Sequence, residues 1–387
     1  SRETFKVFFS ININFMAGIY IHIPFCFSLC GYCDFYKTTK LDKIELFISS
    51  LKEDISLRAN NFNHKIDTLY FGGGTPSLLK RGYIEDIFNH LKKYFLFSDN
   101  FEWTIEANPD DINKEYLKSL YAVGVNRLSI GIQSFNEVDL RQMGRRHTSQ
   151  QAIDAIKIAQ NVGFDNLTID LIYGLPWSNI DEFVKNLSIV KNLDVQHISA
   201  YHLIFEENTN FYSLLKKGIL KEMDDEQSLL QFKMLSKTLI EYGFEHYELA
   251  NFCKPNYESK HNSSYWTGEP YIGFGPSSHS FYNNKREWIK GNLSLYNAKK
   301  FDEIIESEIL SKVDDFNEII MLGLRTAKGV NISFIRDKYS NFYDNFNLKA
   351  DKWIEKKHLI IEDDYLKCTT EGWFLSDAII EDFFIVE

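Results

Sequence analysis

An α/β fold built on a parallel sheet, followed by a smaller, mostly helical part of winged-helix-like character, is what this sequence predicts. Three observations carry that expectation. Six short runs rich in β-branched and aromatic residues recur between residues 19 and 203, each followed by a helix-like or mixed segment, which is the pattern of βα units. Several of the runs end in glycine or in polar residues suited to ligand binding, and parallel βα folds gather ligands at the carboxyl ends of their strands. Beyond about residue 250 the rhythm changes, and helical segments closed by one hairpin-like run take over from residue 314.

The first strand is "IYIHI" at 19–23. Met16, Ala17 and Gly18 lead directly into it, whereas the preceding "SRETFKVFFSININF" is unlike the rest, so the natural start is expected at Met16, with 1–15 a non-native extension. The other strands are "IDTLYFGGG" (66–74), "FEWTIEA" (101–107), "VNRLSIGI" (125–132), "NLTIDLIYG" (166–174) and "VQHISAYHL" (195–203). Gly72 to Thr75, Glu106, Gln133 and Asp170 then fall at strand ends and are expected on one face. The expected division is a core over 16–250 and a C-terminal domain over 251–387. The segment 251–281, rich in Gly, Pro, Asn and aromatics, reads as irregular loop. After it come "DFNEIIMLGLRTAKG", "NISFIRDKYS" and "NLKADKWIEKKHLI", read as helical, and the hairpin-like "LIIEDDYLKCT".

Composition narrows the function. The 387 residues carry 43 Lys and Arg against 54 Asp and Glu, a net charge of -11, which argues against nucleic acid or an anionic membrane as main partner. No apolar run reaches the roughly 20 residues that span a bilayer, and no secretory signal is legible, so the expected location is the cytoplasm. Five cysteines, three of them clustered, make no even disulfide framework; in a reducing compartment such a cluster is more often metal-binding.

Those three lie in "YIHIPFCFSLCGYCDF", where Cys26, Cys30 and Cys33 have the spacing C-x3-C-x2-C. Three thiolates suit a polynuclear iron-sulfur cluster and fall one short of the usual four, leaving an iron open to a small molecule. Zinc would want a fourth Cys or His nearby. The plainer alternative is buried or redox-sensing thiols. Cys253 and Cys368 stand alone and read as ordinary thiols.

With Tyr32 before the last cysteine, this motif resembles that of the radical S-adenosylmethionine enzymes. The resemblance continues through "GGGTPS" (72–77), "IEANPD" (105–110), "LSIGIQSFN" (128–136) and "IDLIYGLP" (169–176), and covers nearly all of the chain from Met16. It implies a partial (β/α)6 barrel with one 4Fe-4S cluster on Cys26, Cys30 and Cys33. The open iron would take the amino and carboxylate groups of S-adenosylmethionine, and one electron would release a 5'-deoxyadenosyl radical. By motif position, Gly73, Gly74 and Thr75 meet the methionine part, Glu106 its amino group and Arg145 its carboxylate. Gln133 and Asp170 suit the ribose hydroxyls, and Tyr20 and Tyr32 line the cofactor. Taken singly, each is an ordinary strand-end residue; five in order behind the cysteines favour the cofactor. Arg146 and Arg141 compete with Arg145.

The motifs look like the branch containing oxygen-independent coproporphyrinogen III oxidase. In that oxidase another cysteine follows two residues after the last ligand; here Phe35 takes its place. The chain resembles instead the sister group, the haem chaperones of HemW type. "HNSSYW" at 261–266 repeats the H-N-x-x-Y-W signature associated with that group and with haem. A neutral imidazole from His261 suits haem iron, and Tyr265 and Trp266 suit a porphyrin face; the rival reading makes them a loop histidine and a packing anchor. His22, beside the cluster, is a further haem candidate, and His202 and His279 are weaker ones. The resemblance implies a haem chaperone delivering to membrane-bound respiratory haem acceptors, with an electron donor, no nucleic acid, and a homodimer allowed for. Its alternative is oxidative decarboxylation of coproporphyrinogen III.

Overall fold

A computed structural model describes residues 16–386, so 1–15, and with them the expected non-native extension, lie outside the described residues. All six expected strands form: β1 (Ala17–Ile23), β2 (Ile66–Gly73), β3 (Phe97–Ala107), β4 (Arg127–Gln133), β5 (Leu167–Tyr173) and β6 (His197–His202). They pair in parallel in chain order, which short antiparallel hairpins cannot do, because each return needs a crossover. Helices supply the crossovers, among them Ile44–Arg58, Arg81–Leu91, Lys114–Val123, Ser149–Val162 and Ile180–Val190.

The sheet curves without closing. At one edge β6 continues antiparallel into β8 (Asn251–Cys253) and β7 (Glu245–Glu248). At the other, β1 pairs in parallel with β9 (Tyr271–Phe274), which leads on through β10 (His279–Tyr282), β11 (Lys285–Ile289) and β12 (Ile305–Ile309), giving twelve strands. A buried arginine fastens this extension to the first helix: Arg58 donates to Glu287 at 2.7 and 3.0 Å, to Asp54 at 3.1 Å and to the Gly273 carbonyl at 2.8 Å.

Residues 251–281 are therefore not irregular loop. They hold β8, the helix Lys260–Thr267, β9 and part of β10. The loop-like residues serve as caps and close contacts: the Ser259 hydroxyl accepts from the Asn262 amide at the helix start, and Gly268, at φ 69°, ends it. A Cβ at Gly273 would lie 2.2 Å from the His279 carbonyl oxygen, so the β9–β10 turn requires glycine there.

The C-terminal part follows its pattern. Helices Lys312–Leu324, Ile332–Lys338 and Ser340–Glu355 precede β14 (Leu359–Glu362) and β15 (Tyr365–Cys368), which with β13 (Val330–Asn331) form a separate three-stranded sheet. Phe316, Ile320, Tyr339, Phe346, Leu359 and Leu366 form its own apolar cluster.

Register sets up the site. Glu106 pairs with Ser129, Gly131 with Asp170, and Asp170 with Ser199, while His22 and Ile23 pair with Gly72 and Gly73. The expected strand-end residues thus stand side by side.

Candidate functional site

The cysteine loop leaves β1 at Ile23 and is fixed at its base and its tip. The Cys26 amide donates to the Thr38 carbonyl at 2.9 Å and the Thr38 amide to the Pro24 carbonyl at 2.7 Å, closing the base. At the tip, the Gly31 amide donates to the Met143 carbonyl at 3.2 Å and its carbonyl accepts from the Phe211 amide at 2.9 Å. A Cβ at Gly31 would come within 2.4 Å of the Phe211 ring, so glycine lets the tip settle. So held, Cys26, Cys30 and Cys33 line one cavity of about 380 Å³. Burial pushes the Cys26 and Cys33 thiols up. The Thr75 hydroxyl donates to Cys26 Sγ at 3.4 Å and Arg145 Nη1 to Cys30 Sγ at 3.5 Å. Among the described residues, no His, Cys, Asp or Glu side chains converge closely enough to enclose a single ion. Three thiols sharing a cavity wall suit a cluster, which spreads its ligands over several metals.

Glu106, Gln133, Arg145 and Asp170 line the same cavity as the cysteines, with Tyr32, Gly73, Gly74 and Thr75. Glu106 accepts from the Tyr70 hydroxyl at 2.9 Å and from the Gly73 amide at 3.1 Å. Gln133, at φ 72°, follows a register shift in β4 that carries it over the cavity. Arg145 donates to Asn108 Oδ1 at 2.7 Å and to the Gly131 carbonyl at 2.5 Å, and its buried Nε has no partner. Arg146, its rival, is committed to Asp110 at 2.5 Å and Asp111 at 3.3 Å, and Arg141 is exposed.

The glycines work differently from the sequence expectation. Their amides already donate, Gly73 to Glu106 and Gly74 to the Ile23 carbonyl at 2.8 Å. A Cβ at Gly73, which sits at φ 109°, would meet the His22 ring at 2.5 Å; one at Gly74 would lie 2.8 Å from the Ile23 and Phe25 carbonyl oxygens. They let β2 close against the cysteine loop. Gly74→Ala should accordingly cost about 2 kcal/mol of stability, as overpacking does, lowering the melting temperature and the yield of reconstituted cluster together. Unchanged melting would show that the loop relaxes freely.

The electrostatics favour a cationic guest. Burial, and next the Asp170 charge, push Glu106 up to about 7. Burial pushes Asp170 up to about 6, despite hydrogen bonds from Ser199 and Ser129. Both carboxyls stay raised even though Arg127 and Arg145 stand beside Asp170, so a further positive charge in the cavity would stabilise their ionised forms. S-adenosylmethionine brings a fixed sulfonium charge and an amino donor for the carboxylates, with a carboxylate for the arginine, so these residues fit it.

Apart from His202, the remaining expected residues do not line the cavity. Tyr20 does not reach the cavity; its hydroxyl is 3.2 Å from His22 Nδ1, and His22 Nε2 is 2.9 Å from the Tyr36 carbonyl. His22 is buried, which lowers it to about 4. His261 is buried on the helix Lys260–Thr267, with Nδ1 at 2.7 Å from the Thr68 hydroxyl and Nε2 at 2.8 Å from the Tyr265 hydroxyl, and burial lowers it to about 3. Trp266 Nε1 is buried without a partner. Of this motif Asn262 lines the cavity, and His261, Tyr265 and Trp266 do not. His202 lines it too, with Nε2 3.1 Å from the Ser228 hydroxyl, whereas His279 pairs in β10 away from it.

The Radical SAM superfamily model matches residues 20–189, and the HemN C-terminal domain model matches 310–375. The Heme chaperone HemW of Lactococcus lactis is 32% identical over 95% of this chain and 97% of its own length. This chain belongs to the HemW family of radical SAM proteins. The Bacillus subtilis HemW is 33% identical, covering 89% of this chain and 93% of its own. A zebrafish (Danio rerio) relative, the mitochondrial Radical S-adenosyl methionine domain-containing protein 1, is 30% identical over 94% of this chain and 86% of its own. The structure of coproporphyrinogen III oxidase (HemN) from Escherichia coli shares the fold, with a TM-score of 0.82 at 23% identity, covering 96% of this chain and 90% of that one.

In this HemW family member, sequence reading passed over Tyr70, Asn108, Ser129, Ser199, Tyr201 and Arg127, all on the cavity wall. Strand alternation held a signal for most of them. Gln133, Gly131, Ser129 and Arg127 fall two apart along β4, and Ser199 and Tyr201 along β6, so alternation by twos within a strand picks out the inward face once one member is placed. Asn108 lies beyond β3 and is placed by contacts with Arg145 and Thr75 that periodicity does not encode.

Proposed function

We propose that this chain is a cytoplasmic haem chaperone that holds one 4Fe-4S cluster on Cys26, Cys30 and Cys33, binds S-adenosylmethionine beside it, and passes haem to membrane-bound respiratory acceptors. The observation that carries the reading is the full-length likeness to HemW proteins. When bound, the reduced cluster and S-adenosylmethionine together supply one-electron chemistry at the sulfonium. The chain's own part is positioning: Glu106 would accept from the amino group, Arg145 would take the carboxylate by exchanging its bonds to Asn108, Gly131 and Cys30, and Gln133 and Asp170 would face the ribose. A separate electron donor feeds the cluster.

For haem, the cavity mouth offers an apolar rim. Phe27, Phe35 and Ile204, which line the cavity, are 61%, 64% and 59% exposed. His261 would reach iron only by giving up its bonds to Thr68 and Tyr265, and His22 only by leaving Tyr36 and Tyr20. The coproporphyrinogen oxidase reading is weaker, because Phe35 stands where that branch carries a cysteine. No described helix is long and apolar enough to cross a membrane.

An anaerobic haem titration of the reconstituted protein tests this. Saturable binding near one haem per chain, with little or no product from coproporphyrinogen III, S-adenosylmethionine and a reductant, is the expected result. Protoporphyrinogen formation without specific haem binding would reverse it.

A further inference from the structure

Besides Asn262, which lines the cavity itself, the H-N-x-x-Y-W segment meets the cavity wall through the ring of Tyr70. His261 stacks on Tyr70, with centroids 5.1 Å apart and planes inclined by 25°. The Tyr70 hydroxyl donates to Glu106 Oε1 at 2.9 Å, and the Gly73 amide to Oε2 at 3.1 Å. His261 itself has little freedom. Thr68 and Tyr265 engage its two ring nitrogens, and its backbone amide donates to the buried Glu102 at 3.2 Å. On the β1 side, a Cβ at Gly18 would lie 3.2 Å from the imidazole and 2.8 Å from the Thr68 hydroxyl, so the histidine is seated tightly against the sheet. Tyr265 is held edge-on by Tyr271 of β9, at 4.6 Å between centroids.

We infer that His261, together with Tyr265, is a positioning residue for the S-adenosylmethionine site: it fixes the Tyr70 ring and, through the Tyr70 hydroxyl, the orientation and charge of Glu106. The inference rests on the cavity being that site, and it gives the motif a role that needs no haem ligation. A phenol donates well to a carboxylate only while its ring is held in one plane. Removing the imidazole takes away the stacking face and leaves a void for the ring to tilt into.

Several groups surround Glu106. Asp170 on β5 repels it; Tyr20 on β1, Tyr201 on β6 and Tyr265 on its helix face it as neutral phenols; Arg127 on β4 lies near Tyr70 and Asp170. The hydrogen bonds from Tyr70 and Gly73 oppose burial and the Asp170 charge, so losing the Tyr70 bond drives Glu106 further toward its neutral form.

The experiment is S-adenosylmethionine binding to the full-length, cluster-reconstituted protein across pH 5.5 to 8, with melting temperature measured in parallel. Tyr70→Phe, which removes one oxygen, should weaken binding by roughly tenfold at neutral pH, the scale of a hydrogen bond to a charged group, and move the pH midpoint upward. His261→Ala should do the same with Tyr70 intact. Leu359→Ala, in the C-terminal apolar cluster, should lower the melting temperature and leave affinity and midpoint alone, separating positioning from general destabilisation. Wild-type affinity and midpoint in His261→Ala would overturn the inference, as would an equal loss in Leu359→Ala. Wild-type protein that takes up its cluster and binds no S-adenosylmethionine would instead sink the reading of the cavity.

Discussion

Cys30→Ser should leave the reconstituted protein with background iron and sulfide and without the broad visible absorption of an iron-sulfur cluster, while Cys253→Ser and Cys368→Ser keep both. The argument is one of number and place. Three protein thiolates are the fewest that hold a cubane with one open iron, and a serine hydroxyl is too weakly acidic and too hard a ligand to replace one. Cys26, Cys30 and Cys33 share the cavity wall, whereas Cys253 is fully buried in β8 and Cys368 lies in the separate small sheet. The loss should be equally complete for Cys26→Ser, even though Cys26 is more buried than Cys30, because the cluster needs all of its ligands. Burial holds the Cys26 and Cys33 thiols up, so cluster assembly must displace their protons and should slow as pH falls. A Cys30→Ser protein that retained full iron content would show that the motif does not hold the cluster.

Part of the fold and of the site is legible in the sequence, and part is not. The six parallel strands are legible, because each is a short run buried on both faces and bounded by helical period; β5 reads LTIDLIY and is almost wholly buried. The cluster motif was legible because spacing alone brings three thiols together after a strand. Glu106 and Asp170 were legible at strand ends, where a parallel sheet gathers its ligands. What sequence could not show is long-range. The helix Lys260–Thr267 was hidden because its caps, Ser259 and Gly268, are also loop formers, and β9 because its partner, β1, lies some 250 residues earlier. The need for glycine at 73 and 74 comes from the His22 ring and the Ile23 and Phe25 carbonyls, which no local pattern reveals. Tyr20 was expected to line the cofactor and His22 to be a haem candidate, yet the two stand together behind the wall through their mutual bond. Arg145 was chosen among three arginines by motif position; it is the one hydrogen-bonded to Cys30, Asn108 and Gly131, whereas Arg146 pairs with Asp110 and Asp111 and Arg141 is exposed.

The affinity for S-adenosylmethionine should rise with pH by up to about tenfold per unit below pH 7 and level off above it, and Glu106→Gln should both weaken binding and flatten that rise. The sign follows from linkage. In the ligand-free protein Glu106 is pushed up to about 7, so near pH 6 it is mostly protonated, and only the ionised form gives an amino donor a full charge. Binding a cation beside it lowers its proton affinity, so binding below pH 7 releases protons, which a pair of buffers with different ionisation enthalpies reveals calorimetrically. Asp170, pushed up to about 6, adds to the lower end of the same window. The substituted amide keeps the shape and one acceptor oxygen while removing the charge, so the loss measures electrostatics more than packing. At neutral pH a loss of roughly tenfold or more is expected, the scale of a charge-assisted hydrogen bond in a buried site. The buried His261 and His22 titrate near 3 and 4, well below this window, and contribute nothing to it. Affinity independent of pH from 5.5 to 8, or unchanged in Glu106→Gln, would place the amino group elsewhere and leave the paired carboxylates without a role in binding.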